Sequence, residues 1–251
     1  MFRQERCVGC GRCIGLCSAR SLSDGKALTD RALCTACGKC VELCLADCNE
    51  ICGATADTDD VFAQLMRDKI YFEDSGGGIT VSGGEPLAQA GATLELARLA
   101  RDENVSFAVE TSGHADSSSL LELASLGALF LYDIKGVDDK KHIENTGVSN
   151  GTVLSNLDAL VTAGADVILR LPLIPGMNDS ERDLELLSNL ISEYRDGIIR
   201  AEIMPYHRIG LGKTSSLGRA ADDIAEIPDG KQFADGWREA LSGCGVKIIV
   251  N

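Results

Sequence analysis

Residues 78–113 read GITVSGGEPLAQAGATLELARLARDENVSFAVETSG, and this stretch decides the fold. A short apolar run, Ile79 to Val81, ends in the glycine-rich cluster SGGEP (82–86). The helix-periodic segment GATLELARLARDE follows, and a second apolar run, Val105 to Val109, ends in ETSG (110–113). Short apolar runs bounded by turn residues read as strands, and apolar residues recurring every three or four positions read as a helix. A strand, one helix and another strand imply a right-handed parallel crossover.

Toward the C-terminus the same unit repeats. Apolar runs recur at Ala128 to Tyr132, Val167 to Leu171, Ile199 to Met204 and Val246 to Val250. Between them lie the helical segments SSLLELASLG, GTVLSNLDALVTAG, ERDLELLSNLISEY and KQFADGWREALSG. Sustained alternation predicts an α/β fold with a parallel sheet. Five successive runs end in unusual clusters: SGGEP, ETSG, YDIKG (132–136), RLPLIPG (170–176) and MPYH (204–207). In a barrel of parallel strands the C-terminal ends form the site-bearing face. Singly, Gly83 and Gly84 would pass for a tight turn, Glu85 and Pro86 for a helix entry, and Lys135, Arg170 and His207 for strand-end charges or a structural histidine. Together they suit a ligand: adjacent glycines admit close approach, Glu85 can accept from an ammonium, and Lys135, Arg170 and His207 can face a carboxylate or ribose. Trp237 falls on the last helix and reads as core.

Toward the N-terminus, TDDVFAQLMRDK sets Val61, Phe62, Leu65 and Met66 on one helical face, with Asp59 and Asp60 in the first turn where the helix dipole favours them. Before it the composition changes. Ten of the 11 cysteines lie between Cys7 and Cys52. The runs CVGCGRCIGLC (7–17) and CTACGKCVELC (34–44) are each Cys-x2-Cys-x2-Cys-x3-Cys, separated by 16 residues. This is the ligand spacing of the bacterial ferredoxins with two 4Fe–4S clusters, in which the fourth cysteine of each run serves the other cluster. On that crossed pattern Cys7, Cys10, Cys13 and Cys44 hold one cluster, and Cys34, Cys37, Cys40 and Cys17 the other. Gly11, Gly15 and Gly38 read as places where the backbone must wrap closely round a cluster. Disulfides suit small secreted chains, and zinc takes Cys-x2-Cys pairs; neither fits two such tetrads. The proline usual after the fourth cysteine is replaced by Ser18 and Leu45. Cys48 and Cys52, four and eight residues past Cys44, read as small residues beside a cluster, and Cys244 as a small buried residue.

The net charge of −14 excludes nucleic acid and anionic membrane as general partners, and no window approaches a membrane span. Residues 1–44 nevertheless carry seven Lys and Arg against four Asp and Glu, leaving 17 against 34 elsewhere. That basic excess offsets cluster charge or offers a docking surface to an acidic electron donor. Oxygen-sensitive clusters and free thiols imply a reducing, cytoplasmic setting. The change in composition divides the chain into 1–54, a two-cluster ferredoxin-like domain, and 55–251, the α/β domain.

The stretches YFEDSGGGITVSGGEPL, ETSGHA, YDIKGVDDKKHIENTG, RLPLIPGMNDSE and MPYHRIGLGKTSSLG, with the double tetrad, resemble the glycyl radical enzyme activating enzymes of the radical S-adenosylmethionine (SAM) superfamily. The resemblance runs over essentially the whole chain, in family order. It implies a partial (β/α)6 barrel that binds SAM across its open face, with Gly83, Gly84 and Glu85 taking the methionine amino group. Lys135, Arg170 and His207 are expected near the methionine carboxylate and ribose. Thr111 and Asp133 match positions of a monovalent cation site in some members, although Glu110 stands where that pattern usually has Asp.

The chemistry implied is one-electron reduction of the SAM sulfonium, giving methionine and a 5′-deoxyadenosyl radical that takes hydrogen from a backbone glycine of a partner. The partners implied are a glycyl radical enzyme as protein substrate and a flavodoxin or ferredoxin as electron donor. The family's Cys-x3-Cys-x2-Cys loop, which follows a first barrel strand and holds a third, SAM-binding 4Fe–4S cluster, has no counterpart here. The expectation is therefore an N-terminally incomplete chain, without that strand and inactive alone. Two rivals are a two-cluster electron carrier that keeps the barrel without catalysis, and a radical SAM enzyme acting on a small substrate. Neither explains the whole set of motifs as directly.

Overall fold

The computed structural model describes residues 1–207 and 230–251. Residues 1–55 belong to one compact unit, and residues 56–206 with 230–251 to another.

In the smaller unit the spacer between the tetrads forms an antiparallel hairpin, β1 (Arg20–Ser23) and β2 (Lys26–Thr29), with Arg20 opposite Thr29. Its turn residues Asp24 and Gly25 both have positive φ, 50° and 70°. Asp-Gly is the strongest short-range hairpin signal because both central residues of such a turn need that conformation. A short helix, α1 (Lys39–Glu42), lies inside the second tetrad. The chain start returns to the segment after that tetrad: the Arg3 amide donates to the Cys48 carbonyl at 2.7 Å, and Phe2 bridges to Asn49. The apolar core is slight, with Cys7, Ala27 and Cys48 at its centre.

The larger unit runs α2 (Thr58–Leu65), α3 (Lys69–Ser75), β3 (Gly78–Val81), α4 (Ala90–Asp102), β4 (Ser106–Thr111), α5 (Ser117–Ser125) and β5 (Leu129–Asp133). It continues with α6 (Asp139–Thr146), α7 (Gly151–Thr162), β6 (Val167–Leu173), α8 (Glu181–Glu193), β7 (Arg200–Pro205), α9 (Gly230–Leu241) and β8 (Ile248–Val250). Strands β3 to β8 make one six-stranded sheet, parallel throughout and in sequence order. The six apolar runs read from the sequence are these six strands. Helix α6 escapes that reading because DKKHIENT has no apolar stripe and buries only His142; it is set by its ends, Asp138 accepting from the Lys141 amide at 3.0 Å and Gly147 closing it with φ 84°.

Sequential strands joined by right-handed crossovers put every connecting helix on one side of a sheet. The burial pattern agrees. Phe107, Val109, Phe130, Tyr132, Leu169 and Leu171 are buried in one core with Leu120, Leu123, Leu157, Leu160 and Ile191. Trp237 and Cys244 join that core, as read from the sequence, and so does Phe62 from α2. The intervening residues Ala108, Glu110, Leu131, Asp133 and Arg170 are only partly buried. One face of the sheet is therefore apolar, and the other carries charge.

Candidate functional site

The turn after β3 brings Ser82, Gly83, Gly84 and Glu85 to the C-terminal edge of the sheet. Gly83 has φ 124°, a conformation that side-chain-bearing residues rarely adopt. Glu85 caps the short turn that opens at Pro86, accepting from the Leu87 amide at 3.2 Å. Its carboxylate also accepts from the Thr111 hydroxyl at 2.7 Å, the Ser112 amide at 3.0 Å and the Ser112 hydroxyl at 2.6 Å. Burial pushes the Glu85 carboxyl upward, but these donors outweigh it and hold the group below its ordinary value of 4.5. Glu85 is thus an anion with a rigid aim, set by residues of the next strand.

Around it lies a concavity lined by Ser82, Gly83, Gly84, Glu85, Glu110, Ser112, Asp133 and Lys135. A second hollow, lined by Glu85, Ser112, Asp133, Lys135, His114 and His142 among others, shares that rim. Asp133 is half-hidden, and burial raises its pKa while Lys135, with Nζ 3.7 Å from Oδ2, opposes the shift. Three carboxylates face one lysine, so the concavity favours a ligand with positive charge.

The structure brings Gly83, Gly84, Glu85, Thr111, Asp133 and Lys135 together. Arg170 sits beside Asp133 in the sheet register but is engaged elsewhere, pairing with Glu110 through Nη1 and approaching Glu202 at 3.7 Å through Nε. Glu110 in turn accepts from Ser82 at 2.7 Å. Glu110, which the sequence marked only as a departure from a pattern, is therefore the link between the SGGEP turn and Arg170. Ser82 and Ser112 were missed; their hydroxyls stand next to singled-out residues and carry no signal of their own. His207 is exposed and grouped with the smaller unit, outside this set. The rest of MPYHRIGLGKTSSLG, residues 208–218, lies outside the described residues.

In the smaller unit cysteines of both tetrads come together. Cys7, Cys10, Cys13 and Cys44 line one small cavity together with Cys48. A Cβ on Gly9, which has φ 68°, would lie 2.2 Å from the Gly25 carbonyl, so the wrap round this cavity admits only glycine there. Gly15, by contrast, would meet nothing within 4 Å, and the close wrap does not depend on it. Backbone amides of Ala27 and Cys48 point at the sulfurs of Cys7 and Cys44, each at 3.4 Å. Burial opposes ionisation of Cys44, but the Cys48 thiol at 3.0 Å and amides of residues 46, 48 and 49 bring its pKa down to about 7, while burial and Cys44 push Cys48 up to about 12.

A second cavity is lined by Cys34, Cys40 and Cys52 with Arg20, Thr29 and Asn49. Neither Cys17 nor Cys37 lines it: Cys17 ends a 3₁₀ turn in extended backbone (φ −155°), and Cys37 is exposed. Arg20 Nη1 and Thr29 Oγ1 are buried without hydrogen-bond partners among the described residues. Cysteines and orphaned donors gathered round one space fit a sulfide-bearing cluster. All 11 cysteines are free. No helix among the described residues is long and apolar enough to cross a membrane.

Comparison with known proteins gives a family to this parallel sheet and the glycine-rich, acid-lined pocket at its C-terminal edge. The Radical SAM superfamily matches residues 49–187. The isethionate sulfite-lyase activating enzyme of Nitratidesulfovibrio vulgaris is 39% identical over 240 residues, 88% of this chain and 74% of that protein. The benzylsuccinate synthase activating enzyme of Thauera aromatica is 36% identical over 87% of this chain and 69% of its own length. A crystal structure of a domain of the pyruvate-formate lyase-activating enzyme from Bacteroides vulgatus shares the fold at 22% identity, with a TM-score of 0.58 over 70% of this chain and 99% of that one. The chain belongs to the radical SAM superfamily and, within it, to the glycyl radical enzyme activating enzymes.

Proposed function

We propose that the larger unit is a partial radical SAM barrel holding SAM against the SGGEP turn, that the smaller is a ferredoxin-like domain with two 4Fe–4S clusters, and that together they activate a glycyl radical enzyme. The observation that carries the reading is the fourfold-anchored Glu85 carboxylate beside Gly83 and Gly84. At neutral pH SAM carries an ammonium, a sulfonium and a carboxylate. Glu85 would take the ammonium, and the glycines would admit the backbone close to it. Glu110 and Asp133 add negative potential toward the sulfonium, and Lys135 offers the one cation lining this concavity among the described residues. Arg170 reaches a carboxylate only by sharing or releasing Glu110, and the role of His207 rests on resemblance alone. When bound, reductively cleaved SAM supplies the hydrogen-abstracting chemistry that leaves a radical on a glycine of the partner.

In the smaller unit Cys7, Cys10, Cys13 and Cys44 would hold one cluster and Cys34, Cys37, Cys40 and Cys17 the other, supported by the tetrad spacing and by the first cavity. Cys52 lines the second cavity and stands ready as an alternative to Cys17. Both clusters imply a reducing cytoplasm and a flavodoxin or ferredoxin donor. The test is anaerobic: the chain, joined to a segment carrying the family's Cys-x3-Cys-x2-Cys loop and reconstituted with iron and sulfide, is mixed with SAM, dithionite and a glycyl radical enzyme, and the partner is examined by electron paramagnetic resonance. A glycyl radical doublet that Glu85→Gln abolishes is expected. A doublet undiminished by that substitution overturns the assignment of the pocket.

A further inference from the structure

We infer that Arg20 is a built-in counter-charge for the second cluster, raising its reduction potential above the value that the cysteines alone would give. This rests on the two-cluster reading of the smaller unit. Arg20 is only 9% exposed, unusual for a side chain that cannot lose its proton. Among the described residues no carboxylate pairs with it: its partners are the Cys40 sulfur, 3.2 Å from Nη2, the Asn49 side-chain oxygen, also on Nη2, and the Phe2 ring, whose centroid lies 5.2 Å from the guanidinium carbon. Nη1 has no partner among the described residues, yet is buried beside the cavity that Cys34 and Cys40 line.

The charge is held rather than merely tolerated. Asn49 is 6% exposed, and while its oxygen accepts from Arg20 its amide nitrogen donates to the Cys40 carbonyl at 3.2 Å. Phe2 is placed by the bridge to Asn49, so ring, amide and cysteine form one frame round the guanidinium. A buried cation without an anionic partner costs several kcal/mol, and such a group is retained only where a negative charge compensates it. A cluster with four thiolates supplies that charge, and more of it after taking up one electron from the donor. Arg20 therefore stabilises the reduced form over the oxidised form.

The test compares the reconstituted protein with Arg20→Gln and Arg20→Lys by iron content and by redox titration followed with electron paramagnetic resonance. With two clusters in every form, a negative shift of one midpoint in Arg20→Gln, largest for the signal that Cys34→Ser removes, and near-recovery in Arg20→Lys support the inference. Unchanged midpoints in Arg20→Gln at full iron content overturn it. Should Arg20→Gln lose iron, Arg20→Lys decides: a retained cluster at the original midpoint supports a charge role, and iron loss there too overturns it in favour of packing. A wild-type chain that takes up no iron refutes the two-cluster reading itself, and the iron count separates that failure from the others.

Discussion

The two units are held together by different physics. In residues 56–206 and 230–251, aromatic and aliphatic side chains from strands and helices close one continuous core, in which Phe130, Leu157, Leu160, Leu169 and Ile191 are wholly buried. In residues 1–55 the central buried residues are small, whereas Val8, Leu22, Leu33, Leu45 and Ile51 are at least 50% exposed. A unit this short buries too little apolar surface to offset its chain entropy and needs a further tie. On the two-cluster proposal the cysteines supply that tie. One unit would fold by packing, the other by ligation.

The largest effect is expected from removing iron: chelation should abolish amide protection across β1 and β2 while β4, β5 and β6 keep theirs, as read by hydrogen exchange. Equal loss in both units would show that they fold as one. Next, Phe130→Ala should cost the larger unit about 3–5 kcal/mol in denaturant unfolding and leave the iron content unchanged. Glu85→Gln should weaken SAM binding by about 1.5–3 kcal/mol, roughly ten- to a hundredfold, because it removes a charge-assisted contact; equilibrium dialysis of unreduced protein measures it.

A finer contrast lies between two carboxylates of the same pocket. Glu85 is held below its ordinary 4.5, so its ionised form stabilises the fold; that contribution is full above pH 4.5 and is lost as pH falls through the lowered value. Asp133 is raised above 3.8, so folding favours its protonated form, and stability from it is present below pH 3.8 and lost as pH rises through the raised value. At neutral pH, Glu85→Gln should therefore lower the melting temperature and Asp133→Asn should raise it, with both differences fading in acid. The smallest effect is expected at the surface. Arg182 pairs with Glu185 at 2.7 Å on α8, both 61% exposed, and Arg182→Ala should change stability by less than about 0.5 kcal/mol in the same melts.

The motif residues differ in how far their surroundings could be read in advance. Glu85 was visible as a candidate, but not the hydroxyls of Thr111 and Ser112 that hold it, since these come from a strand 26 and 27 residues later. Arg170 was visible as a charge at a strand end, yet its engagement by Glu110 depends on a partner 60 residues away. The hairpin at Asp24 and Gly25 was legible in principle from two adjacent residues and was passed over as spacer.

By itself the sequence determined the period of its apolar residues, and with it the six strands, their order and the edge at which the polar clusters gather; these depend on neighbours in the chain and on the single hand of the crossover. It also determined which cysteines are grouped, because ligand spacing is local. Tertiary structure alone decided which face of the sheet carries charge, that Cys52 lines the second cavity where Cys17 and Cys37 do not, and that Arg20 lies buried against Cys40. Each of these depends on side chains meeting across long chain separations, and spacing along the chain carries no measure of that distance.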